Sequence, residues 1–143
     1  MSLGKVDLLI LMKEETKRGP VLTTFAALFA LLALSNISKP LSDGRAGFVF
    51  LGTKTAGVAN AILGPAFGIF LLIYAAGIWW QKRWALPMAW ANAAYVLINL
   101  TAFTIKTPQR WQSPAFGLAY VAVALGVSWG SAILLTRRRA RLR

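Results

Sequence analysis

The sequence predicts an all-α integral membrane protein: four transmembrane helices in an antiparallel bundle, with a short N-terminal amphipathic helix lying at the interface. Three observations predict it. Residues 20–38, 56–80, 85–105 and 115–136 form four apolar stretches. Each supplies the roughly 20 residues that a helix, rising about 1.5 Å per residue, needs to cross about 30 Å of hydrocarbon. The acids Asp7, Glu14, Glu15 and Asp43 all fall outside those stretches, and so does every Lys and Arg. Finally, a hydrophobic content of 57% and a mean hydropathy of +0.60 suit a membrane solvent better than an aqueous core. With four spans, 143 residues leave no room for a second domain. The units are then an arm over residues 1–19, a bundle over 20–136 and a basic tail over 137–143.

In the arm, Leu3, Val6, Leu9, Ile10 and the stem of Lys13 follow helical spacing. Glu14 precedes Arg18 by four positions and Lys17 by three, so these charges share a helix face. Such a helix lies along the cytoplasmic headgroups. Because Leu8 to Met12 is apolar all round, burial against a partner subunit is the alternative. Gly19-Pro20 then breaks the direction of the chain. Lys17-Arg18 ahead of an apolar run, with Ala33-Leu34-Ser35 after it, shares features with a signal peptide. We read the segment as a retained span.

The first loop carries Pro40, Gly44, Gly47 and Gly52, which exclude a long regular helix. Within it, Phe48-Val49-Phe50-Leu51 is too apolar to sit in water. It dips into the interface, folds over the bundle mouth, or packs on another protein. In the second span, Pro65 removes an amide donor and frees the Ala61 carbonyl, which predicts a kink. Gly64 and Gly68 stand four apart, as do Ala122, Gly126 and Gly130 in the fourth span. Small residues at this spacing let backbones approach in lipid, where van der Waals contact drives association. Either the two stripes face each other, or one of them recruits an outside partner.

Gln81-Lys82-Arg83 makes a tight turn between the second and third spans, flanked by Trp79, Trp80 and Trp84. These indoles, with Trp111 in the third loop, are expected as interface anchors. Thr107-Pro108 stops the third span. Asn92, Tyr95 and Asn99 share one face of that span, by offsets of three and four. Asn60 and either Ser128 or Ser131 are candidates to face them. Buried amides in lipid need partners, so the group forms interhelical hydrogen bonds or lines a polar pocket.

Eleven Lys and Arg fall in the arm, the second loop and the tail, against five in the first and third loops. Positive-inside bias therefore predicts both termini in the cytoplasm, across a bacterial inner membrane. The formal net charge of +12 is read as cap charge meeting anionic lipid headgroups, with no nucleic-acid partner. The chain has no His and no Cys, and no acid inside a span. No catalytic residue, metal ligand or cofactor site is expected from such a set. The reading is a non-catalytic accessory subunit that packs within a larger membrane complex, against other subunits or its own copies. The alternative is a binding or transport module for an apolar ligand: a lipid, quinone or pigment.

Overall fold

The computed structural model describes residues 19–41, 47–106 and 114–143, and 84% of it is helical. Four helices carry it: α1 (Gly19–Ser38), α2 (Gly57–Trp79), α3 (Ala85–Lys106) and α4 (Pro114–Arg137). All four are long and apolar enough to cross a membrane, which fits an integral membrane protein. The expected N-terminal helix lies outside the described residues.

Helix boundaries follow local chemistry. Gly19 takes a left-handed φ of +73°, and Pro20 sits in the first turn of α1, where its missing N–H has no intrahelical role. Pro40 ends the run, and Lys39–Leu41 tightens into a 3-10 turn. At the end of α2, Gln81 adopts a φ of +53°. The Lys82 N–H donates to the Gly77 carbonyl at 2.9 Å, and the Gln81 N–H to Ile78 at 3.2 Å. This double closure satisfies the last carbonyls of α2 and reverses the chain into α3. Hydroxyls within the helices turn inward on their own backbone: Thr23, Thr24, Thr101, Thr104 and Thr136 each donate to the carbonyl four residues back. No water is needed to satisfy them in hydrocarbon.

Two helix pairs hold the core. Leu22, Ala26, Phe29 and Ala33 form the buried stripe of α1; the buried face of α2 includes Leu71, Tyr74, Ala75 and Ile78. The Phe29 and Tyr74 rings meet at 4.7 Å, while Gly64 lies beside Asn36. Rising numbers on one helix match falling numbers on the other, so α1 and α2 run in opposite directions. In the second pair, the Trp90 indole N–H donates to Thr136 at 3.1 Å and Asn92 Nδ2 to Ser128 at 3.4 Å. Trp90 also meets Trp129 edge-on at 5.7 Å. The pairs are tied together by the Tyr74 hydroxyl, which donates to Ser131 Oγ of α4 at 3.0 Å.

Small residues decide how close the helices come. A Cβ on Gly68 would lie 2.8 Å from the Ala33 carbonyl oxygen, and one on Gly64 would lie 3.1 Å from that of Asn36. The α2 stripe therefore packs on α1. On α4, Ala122 and Gly126 are exposed, and nothing lies within 4 Å of where a Gly126 Cβ would stand. Gly130 receives the edge of the Phe25 ring, at 3.3 Å from its ideal Cβ. So the two stripes do not face each other. A third stripe, Ala85, Ala89 and Ala93 on α3, is fully buried.

The first loop folds back over the helix ends. Val49–Phe50 pairs antiparallel with Thr53–Lys54 through a two-residue turn. That turn puts Leu51 at φ +47° and Gly52 at φ +76°. Positive φ at both central residues matches the right-handed twist of a short hairpin. At the opposite end of the helices, the tail docks on the second loop. Arg83 N–H donates to the Arg143 carbonyl at 2.9 Å, Arg143 N–H donates to Gln81 at 2.8 Å, and Leu142 is buried.

Candidate functional site

A half-enclosed cavity of about 480 Å³ lies beneath the hairpin, between α1, α3 and α4. Its size falls within the range of about 300–1,000 Å³ usual for small-molecule sites. One wall is the α3 face carrying Asn92, Tyr95, Val96, Asn99 and Leu100, whose spacing of three and four puts them on one side of the helix. Val123, Ala124 and Val127 of α4 form the facing wall. Leu28, Leu32, Ser35 and Asn36 complete it from α1. Phe48, Val49 and Lys39 roof it, and Phe29, Leu71 and Ser128 close the inner end with Asn92. Leu28, Leu32 and Val123 are exposed, which marks the gap between α1 and α4 as the open side. Those two helices touch where Phe25 meets Gly130.

The roof is pinned by polar side chains that the apolar surroundings leave few other partners. Tyr95 donates its hydroxyl to the Val49 carbonyl at 3.1 Å. Asn99 Oδ1 accepts the Gly52 N–H at 3.0 Å. Lys106 Nζ donates to the Leu51 carbonyl at 2.9 Å and to Thr53 Oγ1 at 3.2 Å. Gly52 lies directly on the Ala102 backbone of α3, where any Cβ would overlap it. Beneath the roof, Asn60 Oδ1 accepts the Phe48 N–H at 2.7 Å. The Phe48 ring packs on Phe67 at 5.4 Å, and Phe67 on Tyr95 at 4.9 Å. Lys39 Nζ stands 5.1 Å from the Phe48 centroid and donates to Asn36 Oδ1 at 2.8 Å. The cation thus sits over an aromatic face with an amide beneath it.

Asn60 is buried, so a substitution there exposes what holds the roof. Asn60→Leu leaves the Phe48 N–H without its acceptor, a loss of about 1–3 kcal/mol. The expected result is a lower thermal midpoint together with faster hydrogen exchange confined to residues 47–55. Unchanged protection of that segment would show that Tyr95, Asn99 and Lys106 hold the roof alone.

Of the polar residues singled out in the sequence, Asn92, Tyr95 and Asn99 come together in the cavity wall. Asn60 stands apart from them and serves the first loop. Trp79, Trp80 and Trp84 are exposed and cluster around the second loop, with the Trp84 ring also closing over Gly77. Trp111 lies outside the described residues. Sequence reasoning passed over Asn36 and the Ala85–Ala89–Ala93 stripe, and counted Lys39 only among the loop charges. An amide inside an apolar span and alanines at four-residue spacing were the signals available for them.

Chemically, the lining offers carboxamides at Asn36, Asn92 and Asn99, phenols at Tyr95 and Tyr120, hydroxyls at Ser35 and Ser128, and the Lys39 ammonium. These groups hydrogen-bond and orient a ligand. Among the described residues, no group of three or more His, Cys, Asp or Glu is placed to hold a metal ion. No protein-family model, curated protein or solved structure matches the chain.

Proposed function

We propose that this chain is a bundle of four spans in a bacterial inner membrane, with both termini cytoplasmic, that binds an apolar ligand beneath its first loop. The observation that carries the reading is the cavity of about 480 Å³. Its walls are mostly Leu, Val and Phe with a few convergent amides and phenols, the usual make-up of a lipophile site. The open side between α1 and α4 is apolar, so a ligand reaches it from the acyl-chain region without crossing water. Orientation rests on the eleven Lys and Arg of the arm, second loop and tail. The same residues favour anionic headgroups on that side.

The test is lipid extraction from protein purified in mild detergent and then exchanged into a second detergent, followed by mass spectrometry. We expect one lipophile class retained near one molecule per chain. Recovery of bulk membrane lipids alone, in proportion to their abundance, would contradict the reading.

A second reading, an accessory subunit of a larger membrane assembly, is favoured by the exposed Ala122–Gly126 face of α4. A bare small-residue surface lets another helix approach closely. Native mass spectrometry at native expression separates the two: a stable, partner-free monomer would contradict the second reading and leave the first untouched.

A further inference from the structure

We infer that the cavity prefers an anionic acyl lipid, with its negative headgroup on the Lys39 ammonium and an acyl chain running inward between α1 and α4. The inference rests on the ligand-binding reading above and names the chemistry of that ligand.

The lining is graded from apolar to polar toward the roof. Leu28, Leu32, Ser35 and Lys39 all line the cavity and follow one another at offsets of four, three and four. That spacing keeps them on one face. Along it, over about 16 Å at 1.5 Å per residue, two leucines give way to a hydroxyl and then to a cation. Phe25 meets Gly130, so α4 runs opposite to α1, and its lining residues Val127, Val123 and Tyr120 make the same passage from aliphatic to polar. A ligand that matches both walls is apolar along its length and polar at the end beneath the roof. An acyl chain with a headgroup has that form.

The sign of the headgroup follows from the charge at that end. Lys39 is half-buried; its Nζ donates to Asn36 Oδ1 at 2.8 Å and stands 5.1 Å from the Phe48 centroid. Both partners are neutral, so a formal positive charge remains in the cavity lining. The described residues contain no Asp or Glu, and Asp43 of the first loop lies outside them. An ammonium carries three N–H donors, of which Asn36 takes one. A partly desolvated cation gains most from an anion at contact distance, where charge-assisted hydrogen bonds are roughly twice as strong as neutral ones. A cationic headgroup would meet like charge, and a neutral one would leave the ammonium as it stands. A carboxylate and a phosphodiester share the chemistry required: one negative charge over two acceptor oxygens.

Two probe pairs test the charge and separate the two sources. Hexadecanoate is compared with hexadecanol, and lysophosphatidylglycerol with monohexadecanoylglycerol. Each is titrated, by native mass spectrometry, into the full-length protein in delipidated detergent and mildly alkaline buffer, where the acid is ionised. We expect the anion of at least one pair to bind about tenfold more tightly than its neutral counterpart. A preference in the first pair assigns a fatty-acid carboxylate, and one in the second a phospholipid headgroup. Lys39→Gln should abolish the preference and Lys39→Arg should keep it. Lys54→Gln removes an exposed charge of the hairpin, outside the cavity lining, and should also keep it. An equal loss in the Lys54→Gln protein overturns the inference, because loop charge in general would then attract the anion. Should Lys39→Gln fail to fold, hexadecanoate carrying a mid-chain diazirine keeps the test open. It should label wild-type protein within residues 28–32 or 123–127, and labelling confined to the basic tail overturns the inference. Equal binding within both pairs, or tighter binding of the neutral members, overturns it and leaves the cavity reading intact. Binding of no probe overturns the ligand-binding reading itself.

Discussion

Gly68→Val is expected to separate α1 from α2 and to remove most of the monodisperse protein from a detergent extract. The ideal Cβ at this position would lie 2.6 Å from Ile37 Cγ1, 2.8 Å from the Ala33 carbonyl oxygen and 3.1 Å from the Ile37 amide nitrogen. The side-chain atom can rotate away, but the two backbone atoms belong to α1 and move only if the helix moves. Overpacking of this kind typically costs about 1–3 kcal/mol. The same displacement disturbs Ala33 and Phe29, which lie in the main contact between the pair. Gly126→Val is the matched control, because a side chain there meets nothing within 4 Å. It should leave the size-exclusion profile and thermal midpoint close to wild type. The reverse pattern, with Gly126 sensitive and Gly68 tolerant, would mean that the helices pair differently from the structure described here.

The second large effect is expected from Ala124→Trp. Ala124 lies on the α4 wall of the cavity and is half-buried there. An indole at this position occupies the space that a ligand would use. Retained lipophile should fall at least about tenfold, the fall expected when a ligand loses roughly 1.4 kcal/mol of contact. Thermal stability should hold or rise, because filling a void restores contacts that its lining lacks. Leu118→Trp adds the same side chain on an exposed position outside the cavity lining, and should change neither quantity. Full ligand retention by the Ala124→Trp protein would place the ligand elsewhere on the chain.

Much of the architecture is legible in the sequence because it is punctuated locally. The apolar stretches 20–38, 56–80, 85–105 and 115–136 meet the helices Gly19–Ser38, Gly57–Trp79, Ala85–Lys106 and Pro114–Arg137 to within a residue at each end. Gly19-Pro20, Pro40 and the 81–83 turn set those ends through backbone chemistry close at hand. The common face of Asn92, Tyr95 and Asn99 follows from helical period alone. Partner choice does not. Gly64–Gly68 and Ala122–Gly126–Gly130 have the same spacing, and nothing in either stripe names the helix it meets. The Phe25 ring takes Gly130, while the remainder of that stripe stays bare.

The candidate site is less legible for a related reason. Tyr95 and Asn99 bond to Val49 and Gly52, more than forty positions earlier in the chain. That contact depends on a hairpin whose turn sets Leu51 at φ +47°, a backbone state rare for leucine. Periodicity carries no sign of it. The cavity itself is a gap between α1 and α4, fixed by helix separation and absent from any single segment. Lys39 reads as a headgroup cation from its place at the end of an apolar span. In the fold it sits over Phe48 and donates to Asn36, holding the roof from below.

The most direct measurement is an experimental structure of the full chain crystallised from a lipidic mesophase, without delipidation. The ligand-binding account predicts elongated density between α1 and α4 that reaches inward past Tyr95. Leu28 and Leu32 packed directly against Val123 and Val127, with no space left between them, would contradict it.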